Sequence, residues 1–238
     1  MVDFNRRHQG WEYMDEAAAA GGDLFHALRE LELVNRFLGG RRASLKALRL
    51  LLGKDQKGPL HILDLGTGAG DIPAAIATWA RGSGLQVKIV AVDFNPLICA
   101  WAKEKWAEVA EVEFIQANVF DLPFAENSFD VVHSAMFLHH FSQAEAARLM
   151  HTMHALCRRG IIINDLQRHP FAFYSIKWLT RLFSRSAMVR HDAPLSVLRG
   201  FSKTDLQEVA AAGPVGRHTI CRRWAFRYVL TAWKQSGI

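Results

Sequence analysis

Residues 63–71 read Leu-Asp-Leu-Gly-Thr-Gly-Ala-Gly-Asp, overlapping the end of the apolar run HILDLG and leading directly into a helix-like stretch. Three glycines in five residues let a chain turn sharply as it leaves a strand, and they let a ligand approach main-chain atoms. Such a strand, glycine turn and helix point to a nucleotide-type site in an α/β protein. The spacing narrows this further. A dinucleotide turn, G-x-G-x-x-G, would place its third small residue at position 71, which here is Asp71; the third glycine, Gly70, comes one residue early.

The rest of the chain supports an α/β reading. VKIVAVD, VEFIQAN, FDVVHSA and GIIIND read as strands, and residues 71–81, 96–107 and 143–157 between them as helices. That alternation predicts a parallel sheet with helices on both faces. Ahead of it, Asp23 can cap a helix over about 24–38, where Leu24, Leu28, Leu31, Val34 and Leu38 recur at helical spacing. Gly39-Gly40 ends that helix, and a second follows over about 41–52. After residue 165 the alternation breaks. FAFYSIKWLTRLF predicts one inserted amphipathic helix, Ser202 caps a last helix, and HTICRRWAFRYVLTAW predicts two short strands joined by a basic turn.

At 238 residues, half of them apolar, the chain suits one large α/β domain. It shows no apolar run of membrane-spanning length, and MVDFNRRHQGWEYM has no signal-peptide apolar region. Cys99, Cys157 and Cys221 are too scattered for a disulfide framework or a zinc site, so a reduced, cytoplasmic protein is expected. The formal charge of +6 is uneven. Arg168, Lys177, Arg181, Arg185, Arg190 and Arg199 face only Asp192, and a second basic stretch runs from Arg217 to Lys234. Such stretches attract nucleic acid or an anionic membrane, or form a solvated basic face.

Three consecutive strand ends carry polar groups: Asp64 with the glycines, Asp93 in VAVDFNP, and Asn118 after VEFIQA. Ligands of open α/β sheets bind along this edge, where a carboxylate at Asp93 can accept bonds from ribose hydroxyls. LDLGTGAGD, VDFNP, QANVFDLPFAENSFD and VVHSAMFLHHF resemble, in order and spacing, the class I S-adenosylmethionine (SAM)-dependent methyltransferases, most of all the bacterial ubiquinone and menaquinone branch. The likeness spans about residues 60–165 and the C-terminal strand pair. It implies a Rossmann-like, doubly wound seven-stranded sheet with an antiparallel last strand. It also implies SAM contacts at Gly66, Thr67, Gly68, Gly70 and Ser134, with Asp64 near the ammonium group. Asp93 would hold the ribose, and Phe94 and Val119 would sandwich the adenine. Asn118 stands where many relatives carry Asp, and its carbonyl can still accept the adenine amino group. Residues 1–55 would then be a helical part of the acceptor site. Residues 56–238 would be the SAM-binding core, with a helical cover inserted at about 166–200.

Methyl transfer is an in-line displacement, so positioning and water exclusion come first and a base for the acceptor second. The candidate bases are His139 and His140 after the fourth strand, Asp165 ending the fifth, and His191; each could equally serve packing or backbone bonding. No carboxylate follows the fourth strand, where Ser134 stands, so no metal is expected. Acceptor contacts are expected from Asn35, Arg36, Arg168, Tyr174, Arg190 and Arg199, although Arg36 can also pair with Glu32 along its helix. Phe171, Phe173, Tyr174 and Trp178 could wall an apolar pocket or be plain core. These stretches also resemble polyketide-associated methyltransferases. The expected activity is O- or C-methylation of a small hydroxylated aromatic, quinone or polyketide-like acceptor, by a monomer or homodimer with possible peripheral membrane contact. The rivals are an RNA or protein methyltransferase, against which stands the lack of a dedicated nucleic-acid module, and a non-catalytic SAM-binding regulator.

Overall fold

The structure is a computed structural model and describes residues 2–15, 22–53 and 56–234. Seven strands form one sheet: β1 (Leu60–Leu65), β2 (Val87–Asp93), β3 (Val112–Gln116), β4 (Phe129–Ala135), β5 (Cys157–Leu166), β6 (His218–Arg223) and β7 (Arg227–Trp233). Their order is β3-β2-β1-β4-β5-β7-β6. Six strands run one way, and β7 opposes both of its neighbours. The doubly wound sheet and its antiparallel last strand are as the sequence implied.

The central strands are apolar on both faces because both faces are covered. On one face Leu63, Leu65, Val132, Ile161 and Ile163 pack with α5 (Gln143–Leu156) and α8 (Lys203–Ala212). On the other, Leu60, Ile62, Val131 and Ile162 meet α2 (Gly40–Leu52) and α3 (Asp71–Gly82). Each such fully buried aliphatic side chain contributes about 1.5–3 kcal/mol. Ser142 caps α5 and Ser202 caps α8, each with a reciprocal capping box that satisfies helix-end donors. Strand order reverses between β1 and β4, which opens the crevice where the glycine turn ends.

Two predicted elements differ. The first helix, α1, spans Gly22–Phe37, so Asp23 lies inside its first turn and is not the cap. The insertion holds two helices, α6 (Pro170–Phe183) and α7 (Ala187–Arg199). The second escaped the sequence reading because Pro194 lies inside it and polar and apolar residues are mixed round its circumference. Asp192 at its centre accepts the main-chain N–H groups of Tyr13 and Met14, at 2.9 and 3.1 Å, and so straps the N-terminal segment onto the insertion.

Candidate active site

A cavity of about 1250 Å³ runs from the glycine turn to the paired histidines and on beneath α1, α6 and α7. Gly66, Thr67, Gly68, Asp93, Phe94, Asn118 and Val119 line its sheet end. Gly68 has φ +51° with no atom within 4 Å of where a Cβ would stand, so its bare backbone leaves room for a ligand. Its N–H donates to Asp93 Oδ2 at 2.9 Å, while Asp93 Oδ1 accepts the N–H of Asn95 at 3.1 Å. The carboxylate thus braces two turns and keeps lone pairs for a ligand. Burial raises the pKa of Asp93 against these bonds. Thr67 Oγ1 is buried without a partner beside this space. These groups fit the polar parts of SAM.

Not every expected cofactor residue faces the cavity. Gly70, with φ +70°, closes the turn against Phe114 and Trp106 instead. Asp64 is turned away: its Oδ1 accepts from His133 Nδ1 at 2.5 Å, and His133 Nε2 meets Ser44 Oγ at 2.8 Å. That buried chain ties α2 to the sheet, and its members come from distant parts of the sequence. Ser134 is buried and outside the cavity lining.

The other end of the site is a dense charged network. His139 is buried; its Nδ1 donates to Asp165 Oδ1 at 2.6 Å, and its Nε2 stands 3.7 Å from Glu12 Oε1. Asp165 also accepts the N–H groups of His139 and Leu166. Burial pushes the Asp165 carboxyl up, but the contact with His139 prevails and holds it below the usual range. Asp15 pairs with His140 and accepts Arg199 Nη1 at 2.6 Å; against its burial, these partners depress its pKa. Arg199 also donates to the carbonyls of His139, His140 and Gly10. Glu12 is buried, which raises its pKa.

Glu12 and Asp15 carry no motif signal; only the strap over α7 brings them to residues 139, 140 and 199. One ligand atom each from Glu12, His139 and His140 lies within 4.8 Å of the others, a geometry that suits a divalent cation and that the sequence did not suggest. The Arg199 guanidinium already stands 3.6 Å from Glu12 Oε1, however, and supplies positive charge there.

Of the other expected residues, Asn35 lines the cavity but is committed to Asp71 Oδ1 and to Arg227, at 3.2 and 3.1 Å. Arg227 itself is buried and was not foreseen; desolvation pushes its pKa down to about 10. The structure takes five expected residues out of the lining. Arg36 stacks over Phe37 at the surface. Arg168 is locked to Asp205 and to the carbonyls of Phe4, Asn5 and Gly200. Tyr174 lies outside with Phe4 and Phe173, and Arg190 folds back on the Ser184 carbonyl. His191 stacks on Tyr13 and bonds Asp192. In each case a nearer acceptor or ring satisfies a side chain that sequence alone could only place on the right segment.

Residues 62–160 match a family model described as a methyltransferase domain. A demethylmenaquinone methyltransferase of Thermus thermophilus is 35% identical over 120 residues, 49% of this chain and 51% of the relative. The chain spans about half the length, or less, of the first curated relatives it matches. A SAM-dependent methyltransferase structure from Aquifex aeolicus superposes with a TM-score of 0.62 at 18% identity, covering 90% of this chain and 99% of that one. Human N-acetylserotonin methyltransferase, solved with SAM, gives 0.63 at 19% identity, covering 90% and 57%.

Proposed function

We propose that this chain, a class I SAM-dependent methyltransferase, methylates a largely apolar hydroxylated acceptor of the aromatic, quinone or polyketide-like type, on oxygen or carbon. The observation that carries this reading is the cavity described above. Its volume of about 1250 Å³ exceeds the range usual for one small ligand, and Leu31, Val34, Phe137, Ile176, Met188 and Val197 line the part beyond the glycine turn. The Thermus relative is named for a quinone-type acceptor of this kind, which supports the choice.

SAM, when bound, supplies a methyl group on a sulfonium sulfur. The chain then has two tasks. The apolar walls exclude water from the reacting atoms. His139 takes the acceptor's proton on Nε2, because Asp165 holds its Nδ1–H and fixes the tautomer. Glu12 Oε1 stands 3.7 Å from that nitrogen, and Arg199 in turn stands 3.6 Å from the same carboxylate oxygen. Residues 1–55, chiefly α1 and the strap, form the acceptor side, with α6 and α7 as the cover. A cytoplasmic monomer or homodimer is the simplest setting. RNA or protein substrates are disfavoured by the apolar lining.

The test pairs SAM calorimetry with turnover, read as release of S-adenosylhomocysteine, over a panel of quinols and phenols. His139→Gln and Asp165→Asn should each lower turnover by about 10²–10⁴-fold while SAM affinity holds. SAM binding without turnover on any acceptor would favour the regulator instead.

A further inference from the structure

Three elements close into a ring around one opening of the cavity. The C-terminal half of α1 contributes Leu33, the β6–β7 turn contributes Trp224, and α6 contributes Phe171, Leu179 and Phe183. All five line the cavity and are nonetheless exposed, Phe183 by 78% and Trp224 by 73%. The ring is physically joined. Ala225 N donates to the Leu38 carbonyl at 2.9 Å, which holds the turn on the end of α1. Phe226 meets Phe171 at 5.8 Å between ring centroids, and Ser184 Oγ donates to Glu30 at 3.0 Å, which returns the end of α6 to α1. Outside the rim, Trp178 and Leu182 continue the apolar surface along α6 at helical spacing, 63% and 70% exposed.

Large apolar side chains this exposed and this contiguous mark a surface that is covered in use. Charge identifies the cover. Lys177, Arg181 and Arg185 stand exposed among the aromatics, Arg36 and Arg222 stand exposed on the other two elements, and α6 carries no acidic residue. The acids of α1 beside the rim are engaged, Glu30 by Ser184 and Glu32 by Arg41 and Lys105. Tryptophan and phenylalanine at the level of basic side chains are the chemistry of a bilayer interface.

We propose that this rim docks on an anionic lipid bilayer, so that the cavity opens into the acyl region and the acceptor enters from the membrane. The inference rests on the apolar acceptor proposed above. It also gives Lys177, Arg181 and Arg185, which do not line the cavity, a role in holding the rim to the headgroups. Among the described residues no helix is long and apolar enough to cross a membrane, and the contact proposed is made by the rim.

The experiment is sedimentation of the full chain, saturated with S-adenosylhomocysteine, with phosphatidylcholine vesicles containing or lacking phosphatidylglycerol. Binding should require the anionic lipid and weaken with salt. Lys177→Gln with Arg181→Gln should weaken it by roughly thirtyfold, from two charges at about 1 kcal/mol each near such a surface and tenfold per 1.4 kcal/mol. Trp178→Ser with Leu182→Ser should weaken it at any salt concentration. None of these four side chains lines the cavity, so melting temperature and cofactor affinity should hold in both variants. No binding to anionic vesicles, or binding by both variants as tight as that of the unaltered chain, overturns the proposal. So does a dimer in solution that Trp178→Ser dissolves, because the face would then belong to a second copy. Sedimentation needs no turnover, so this result stands apart from the fate of the methylation reading.

Discussion

Replacing Asp93 by alanine tests the cofactor end where the geometry is most explicit. The carboxylate accepts Gly68 N–H at 2.9 Å and Asn95 N–H at 3.1 Å and still faces the cavity. Two effects follow. If Asp93 holds the ribose hydroxyls as proposed, losing those bonds costs about 1.5–3 kcal/mol of SAM affinity, or roughly 10- to 150-fold. Loss of the brace leaves two partly buried N–H groups to water, at about 1 kcal/mol of folding stability each. Asp93→Asn separates the two, because one amide oxygen replaces one carboxylate oxygen while the amide nitrogen confronts an N–H donor. Its SAM affinity should fall between those of wild type and alanine. Calorimetric titration with SAM and with S-adenosylhomocysteine gives affinity, and urea unfolding gives stability. Because burial raises the Asp93 pKa, wild-type affinity should also begin to fall, on acidification, at a pH above the ordinary aspartate value of about 3.9. A folded alanine variant with wild-type affinity would refute the assignment of Asp93 to the ribose.

Arg199→Met should destabilise the chain by about 3–5 kcal/mol, since it removes a buried guanidinium from Asp15 and three carbonyls and leaves a charge beneath the strap; a loss under about 1 kcal/mol in urea unfolding would contradict the network. In acid, Asp165 and Asp15 both have depressed pKa values in the folded chain. The stability they contribute is therefore complete above the ordinary aspartate value of about 3.9 and is lost as pH falls through their lowered folded values. Asp165→Asn should flatten that acid limb, and an unchanged limb would remove Asp165 as one of its causes.

The cofactor turn and the sheet could be read from the sequence because their signals are local. A glycine turn after an apolar strand, and an acid at the end of the next, depend on neighbours within a few residues. His139 and Asp165 were visible for the same reason, as polar residues at strand ends. Glu12, Asp15 and Arg227 were not, because their roles come from contacts across more than a hundred residues. The acceptor-side arginines show the converse. Arg168 and Arg190 sit on the right segment, but main-chain carbonyls only a fold can supply satisfy them first. In α6 the apolar periodicity was plain, yet it could not tell Phe173, which is buried, from Trp178, which is bare.

The cavity is walled from two sources. Gly66, Gly68, Asp93 and Val119 lie within residues 62–160, whereas the strap, α1, α6, α7 and the β6–β7 turn lie before or after that block. The strands that present the donor site are fixed by packing on both faces, so little there can be altered without cost to the sheet. The outer walls rest on surface helices and a turn, which tolerate exchange far better. A fold arranged in this way can keep one donor pocket while its flanks are recut for new acceptors, much as a fixed handle takes interchangeable blades.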